Sequence, residues 1–174
     1  ATQPGETVAR VGRGLPRVVG GGCDGGMHRV GRPGRGESVL RAFFPSVART
    51  EFAHLARQQG DAVTADRFVI EAGRLRGHVE HNGWDGEWYR RAYYDDGTPL
   101  GTAQADECKI DAIAQSWSVI AGVGDPARAR QAMASLSEHL LRPEEKLLLL
   151  LTPPFDNTPN DPGYIKCYLP GIVG

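Results

Sequence analysis

The sequence predicts a mostly α domain interrupted by a short β-hairpin. Three observations carry this expectation. Two consecutive apolar stripes at helical spacing meet at Gly60-Asp61, an Asp125-Pro126 pair opens a further helix, and the apolar period switches to two within residues 84–101. A chain of 174 residues is long enough for one domain with its own core.

Residues 1–36 are rich in Gly and Arg and show no periodicity, and the run from Gly20 to Gly26 breaks any regular element. This part reads as a loop segment, and residues 37–174 as the helical part. Leu40, Phe43, Phe44, Val47, Ala48, Phe52 and Leu55 form the first stripe. Pro45 sits inside it and is expected to kink or split the helix, at a cost of ~3 kcal/mol. Gly60 ends that helix and Asp61 caps the next, whose inward stripe is Ala65, Phe68, Val69, Ala72, Leu75 and Val79.

Trp88, Arg90, Ala92 and Tyr94 then alternate with Glu87, Tyr89, Arg91 and Tyr93, and Asp96-Gly97 supplies the turn of a hairpin. A helix over about 109–121 is expected to turn Ile110, Ile113, Ala114, Trp117 and Ile120 inward, with Gly122 as its stop. Asp125-Pro126 pairs an N-cap with proline at the first helical position, and Ala129, Ala132, Met133, Leu136 and Leu140 line that helix. The leucines at 147–151 fit a buried strand or a helical tail, and periodicity does not decide between them. Prolines make the stretch from Thr152 to Tyr164 a loop.

The formal charge of −1 gives no global reason to expect nucleic acid or an anionic membrane as partner. The arginines of the first quarter have no interleaved aromatics, so they read as a solvated arm. The longest aliphatic run, Leu147 to Leu151, is far short of the ~20 residues of a membrane span, so no direct membrane insertion is expected. No apolar leader opens the chain, and the start at Ala1 suggests a fragment or a processed chain. Cys23, Cys108 and Cys167 form no CxxC pair, so a reducing, cytoplasmic setting is expected. The five histidines show no metal-ligand spacing apart from His78 and His81, which fit a solvated helix end, and no metal is expected. Gly20–Gly26 lacks the flanking strand and helix of a phosphate-cradling nucleotide loop.

The densest chemistry lies between Gly83 and Gly101, continued by Gln115-Ser116-Trp117. Trp84, Asp85, Glu87, Trp88, Arg90 and Gln115 are the candidate substrate-binding residues. Flat apolar rings suit the C–H face of a sugar, and charged or amide groups suit its hydroxyls. Each residue taken singly also fits a packed hairpin with a solvated face, and Trp117 fits core packing. The block as a whole reads as a site-lining loop.

These blocks carry a resemblance. Gly36-Glu37-Ser38-Val39, the Gly83–Gly101 stretch, Gln115-Ser116-Trp117, Leu150-Leu151-Thr152-Pro153-Pro154-Phe155-Asp156 and Asp161-Pro162-Gly163-Tyr164-Ile165-Lys166 stand in the order found in glycoside hydrolase family 94, formerly glycosyltransferase family 36, the cellobiose phosphorylase-like enzymes. The chain most resembles the phosphorylase-like C-terminal part of cyclic β-1,2-glucan synthases. The resemblance implies part of an (α/α)6 barrel, a toroid of helix pairs. It also implies reversible, inverting phosphorolysis of β-linked gluco-oligosaccharides, with inorganic phosphate as co-substrate and no cofactor. The remainder of a larger synthase chain, held at an inner membrane, is the implied partner.

The family's general acid lies in a loop that usually reads Asp-Trp-Asn-Asp-Gly-Met-Asn-Arg-Val-Gly, and the second Asp protonates the glycosidic oxygen. Here the matching stretch is Gly22-Cys23-Asp24-Gly25-Gly26-Met27-His28-Arg29-Val30-Gly31, so the acid position falls on Gly25. Asp24 lies one residue early and is a displaced candidate for the catalytic acid, competent only if the loop shifts by one residue. The departure matters because phosphate is the nucleophile in phosphorolysis, so the protein supplies a single acid, whereas an inverting hydrolase carries two carboxyl groups. General acid catalysis contributes ~10²–10⁴-fold. In the family, Pro-Gly-Ile is followed by Arg-Glu-Asn and a phosphate-contacting histidine, whereas here Val173-Gly174 follows Ile172. Both departures lead to the expectation of a fragment that is inactive alone. The alternatives are a non-catalytic carbohydrate-binding remnant and a degenerate fragment with exposed apolar patches.

Overall fold

The computed structural model describes residues 12–18, 26–122 and 124–169. In chain order its elements are β1 (Glu37–Ser38), α1 (Leu40–Gln58), α2 (Ala62–His78), a π-helical turn (Val79–Gly83), β2 (Ala92–Tyr93), β3 (Pro99–Leu100), β4 (Ile110–Asp111), α3 (Ala112–Ile120), α4 (Pro126–Leu140), β5 (Leu141–Arg142), β6 (Leu147–Leu148), β7 (Leu151–Thr152) and a 3-10 turn (Tyr164–Cys167). Helices dominate and every strand is two residues long. All strand pairs are antiparallel: β1-β2-β3, β4-β7 and β5-β6.

Capping chemistry starts α2 and α4 where the sequence places them, whereas α3 starts later than expected, at Ala112, because Ile110 and Asp111 are taken up in β4. Asp61 Oδ1 accepts from the Thr64 amide at 2.9 Å. Asp125 Oδ1 accepts from Ala127 and Arg128 at 2.8 and 2.9 Å. Asp111 does the same for α3, accepting from Ile113 at 2.9 Å. Such caps satisfy amides that the first helical turn leaves without a partner. Gly60, with φ +77°, takes the left-handed conformation that closes α1.

The helices pair as α1 with α2 and α3 with α4, and α3 also packs on α1. Leu15, Val39, Phe43, Leu75, Val79, Tyr89 and Ala114 form the core between them. A second cluster holds Val18, Met27, Val30, Leu100, Cys108, Leu151, Phe155 and Ile165. It joins the first and last described segments to the β-structure.

The structure corrects several expectations. α1 is not split at Pro45 but continues from Leu40 to Gln58. Only proline's own amide bond is lost, early in a helix anchored by buried Ala42 and Phe43, and Ser46 Oγ donates to Ala42 O at 2.8 Å. The buried face of α1 is Ala42, Phe43, Ser46 and Ala53, whereas Phe44, Phe52 and Leu55 are exposed. On α2, Val69 is also exposed. On α3 the buried residues are Ala112, Ala114, Gln115 and Ser118, Ile113 and Trp117 are half-buried, and Ile120 is 68% exposed. The helix turns its polar Gln115 inward because that side chain has backbone partners there. The leucine run resolves into strands rather than a helical tail. Leu147 and Leu148 form an exposed hairpin with β5, and Leu151 is buried against β4.

The hairpin is present, with Ala92 opposite Leu100 and Tyr93 opposite Pro99. Asp96 Oδ1 accepts from the Thr98 amide at 2.8 Å, and Gly97 takes φ +89°. Among the described residues no helix is long and apolar enough to cross a membrane.

Candidate functional site

Most of the aromatic and charged stretch, Trp84 to Gln115, is engaged within the protein. Trp88 is 5% exposed, and its indole N–H donates to the carbonyls of Gly101 and Lys109 at 3.1 and 3.0 Å. Trp84 is half-buried, edge-on to Tyr89 with ring centroids 5.0 Å apart, and the Arg128 guanidinium lies 5.1 Å from its ring. Asp85 accepts from Arg90 Nε at 2.7 Å, Thr102 Oγ1 at 2.9 Å and the Ala103 amide at 2.7 Å. Arg90 also donates to the Tyr93 hydroxyl at 2.9 Å. Gln115 is fully buried against the Tyr89 backbone. Glu87 is exposed, its carbonyl accepts from Ser135 Oγ at 2.9 Å, and its carboxylate has no partner among the described residues. The stretch thus ties the hairpin to α3 and α4.

Beneath it lies a buried ion pair. Arg91 Nε is 3.4 Å from Asp111 Oδ2, with side chains 3% and 1% exposed. Burial pushes the Asp111 carboxyl above its ordinary range, and Arg91 and the capped amides oppose that shift. Neighbouring Cys108 is raised well above an ordinary thiol, first by burial and then by Asp111. It is therefore a poor nucleophile.

A different region brings polar groups of two distant segments together. The turn 26–31, the described half of the glycine-rich motif, docks on the segment 161–168. The Ile165 amide donates to Gly26 O at 3.0 Å, the Arg29 amide to Pro162 O at 3.3 Å, and the Tyr164 amide to His28 Nδ1 at 3.3 Å. The Arg29 guanidinium pairs with the Asp161 carboxylate. Asp161 Oδ1 also accepts from the Gly163 amide at 2.8 Å, and this bond, then Arg29, holds its carboxyl below the usual range. Gly163, at φ +111°, lies so close to His28 that a Cβ would stand 2.8 Å from its Nδ1.

These segments wall an open cleft of about 450 Å³, lined by His28, Arg29, Asp161, Tyr164, Lys166 and Cys167. Tyr164 and Tyr168 are exposed and stand edge to face, ring centroids 5.4 Å apart. The cleft is lined by the cationic side chains of Arg29 and Lys166 and by the exposed Tyr164 ring, groups that suit an anion beside a flat apolar face. Asp24 and Gly25 lie outside the described residues. The aromatic density of the hairpin drew the sequence reading away from His28, Arg29, Tyr164 and Tyr168. Their pairing joins segments 136 residues apart and has no periodic signature. Among the described residues, no group of three His, Cys, Asp or Glu is placed to hold a metal.

Paired helices and short antiparallel strand pairs thus frame an open cleft where two distant segments meet. Comparison with known proteins makes this specific. The sequence model of the glycosyl hydrolase 94 superfamily catalytic domain matches residues 6–173. The chain belongs to that family. It is 44% identical over 159 residues to the cyclic beta-(1,2)-glucan synthase NdvB of Rhizobium meliloti (strain 1021), covering 91% of this chain and 6% of that protein. It is 33% identical over 147 residues to the solabiose phosphorylase of Paenibacillus borealis, covering 84% of this chain and 19% of the relative. It is 32% identical over 142 residues to the N,N'-diacetylchitobiose phosphorylase of Vibrio proteolyticus, covering 80% and 17%. The chain therefore spans less than a fifth of each of these relatives.

Proposed function

We propose that this chain is part of a phosphorylase-like domain that binds β-linked gluco-oligosaccharides, with inorganic phosphate as the co-substrate of the reaction. The observation that carries the reading is the convergence of residues 26–31 and 161–168. It sets Arg29 and Lys166 beside Tyr164 around one cleft, with the Tyr168 ring edge-on to Tyr164. Arg29 and Lys166 attract phosphate, and the tyrosine rings take the apolar face of a glucosyl unit. The Trp84–Gln115 block serves as the scaffold that fixes the hairpin. Glu87 is the member of that block left to reach a ligand.

Gly25 in place of the acid supports binding without turnover by this chain alone. The helix pairs α1/α2 and α3/α4 act as consecutive units of an (α/α)6 toroid. Exposed Phe52, Leu55, Val69 and Ile70 on the first pair support cover by further helices. The remainder of a larger, synthase-type chain is the partner in keeping with the 6% span of NdvB. Residues 1–36 carry the catalytic-loop motif, residues 37–174 carry the helical part, and the setting is cytoplasmic.

Thermal unfolding followed by circular dichroism, with sophoro-, laminari- and cello-oligosaccharides, tests the reading. A midpoint raised by one linkage and no longer raised after Tyr164→Ala is expected. A cooperative transition indifferent to all three sugars would sink it.

A further inference from the structure

A second cleft, of about 380 Å³, opens between the β2–β3 turn and the loop 155–160. Its size falls in the range of about 300–1,000 Å³ that small-molecule sites occupy. No residue lines both this cleft and the one at His28 and Tyr164. Its walls are apolar: Tyr94, Leu100 and Phe155 are each less than a tenth exposed. Its rim is polar and uncharged apart from carboxylates, and among the described residues no Lys, Arg or His lines it.

The walls are fixed from behind. The Glu107 carboxylate accepts from the amides of Asp156, Asn157 and Thr158 at 2.9, 2.6 and 3.0 Å. Asn160 Nδ2 donates to Asp96 Oδ2 at 3.4 Å, joining the loop to the hairpin turn. By contrast, the Gln104 side-chain amide and the Asp106 carboxylate, both exposed on the rim, have no hydrogen bond or ion pair among the described residues. A cleft with fixed apolar walls, free amide and carboxylate groups and no cation rejects anions. It suits a neutral ring bearing many hydroxyls.

We infer that the cleft between the β2–β3 turn and the loop 155–160 is an accessory saccharide site, which holds one glucosyl unit of an oligosaccharide apart from the His28–Tyr164 cleft. The choice of saccharide rests on the glucan-binding reading above. The apolar walls take the C–H face of the ring. Gln104 and Asp106 take hydroxyls at its edge.

The test is an amide-resolved NMR titration of the whole chain with sophoro-oligosaccharides, and separately with inorganic phosphate. Resonances of Gln104, Asn157 and Asn160 are expected to move with the sugar and to stay still with phosphate. Gln104→Ala and Asp106→Ala change exposed side chains and leave the walls intact. Each is expected to weaken binding at these resonances roughly fivefold, the loss of one hydrogen bond, without altering the response of Tyr164 and Lys166. Movement at Tyr164 and Lys166 with no movement at the second cleft would overturn this inference and leave the functional reading standing. Movement confined to the second cleft would do the reverse. Cleft shifts unaffected by either substitution would also overturn the inference.

Discussion

Gln115 holds the backbone of Tyr89 with both ends of its amide: Oε1 accepts from the Tyr89 N–H and Nε2 donates to the Tyr89 carbonyl, each at 2.8 Å. The side chain is fully buried and also donates to Asp111 O at 2.9 Å. Tyr89 is bridged to Trp84 on one side, and Gln115 serves the N–H and carbonyl that this bridge leaves over. One residue thereby links α3 to the entry of the hairpin.

Gln115→Ala is therefore expected to destabilise the chain by about 2–4 kcal/mol. It strips a buried amide and a buried carbonyl of their partners and leaves a void. The shift in urea midpoint at constant slope measures it. A loss below about 0.5 kcal/mol would show that water or a neighbour takes over both groups.

The Glu107 carboxylate gives the fold a pH dependence of known sign. Burial pulls its pKa upward, but the amides of Asp156, Asn157 and Thr158, helped by Lys166, outweigh burial and hold it below the ordinary value of 4.5. The folded state thus favours the ionised form. This contribution is present above pH 4.5 and is lost as pH falls through the lowered value. Asp61, Asp96, Asp125 and Asp161 are shifted the same way, each chiefly by hydrogen bonds from neighbouring residues. Glu107→Gln is expected to lower stability at pH 7 and to flatten the acid limb of a stability–pH curve. An unchanged acid limb would mean that the three amides do not depend on the charge.

How much of this was legible in the sequence depended on the range of the interaction. The caps at Asp61 and Asp125, the stop at Gly60 and the turn at Asp96-Gly97 depend on side chains within a few residues of the backbone they satisfy, so the local sequence contains them. The buried face of α1 was not legible. Phe44, Phe52 and Leu55 are as apolar as Phe43, and only the placement of α2 and α3 selects among them. The role of Trp88 was misleading for a related reason. A ring that suits a sugar equally suits Ile110, Leu136 and Leu140, against which it packs. The His28–Tyr164 cleft depends on two segments 136 residues apart and became visible only when they docked.

Asp161 tunes that cleft. Its carboxylate pairs with Arg29 and so offsets one of the two permanent cations. Asp161→Asn retains an oxygen for the Gly163 amide but removes the charge. Inorganic phosphate is expected to bind the variant roughly threefold to tenfold more tightly, with the gain shrinking as salt rises. Calorimetric titration at two ionic strengths measures both effects. Weaker phosphate binding in the variant would indicate that the carboxylate positions Arg29 rather than competing with the ligand.

The glycine at the acid position sets the last expectation. Phosphorolysis requires one proton donor within hydrogen-bond reach of the departing oxygen, and phosphate supplies the attacking oxygen without help from a second carboxylate. Glycine donates no proton, and Asp24 stands one residue from the family's position. Incubating the chain with β-1,2-gluco-oligosaccharide and phosphate is expected to release glucose 1-phosphate no faster than a protein-free blank, and Asp24→Asn is expected to change nothing. Turnover above the blank that disappears in Asp24→Asn would identify Asp24 as a displaced acid. Turnover that survives the substitution would place the proton donor elsewhere, and Glu87, exposed and with no carboxylate partner among the described residues, would be the first residue to replace.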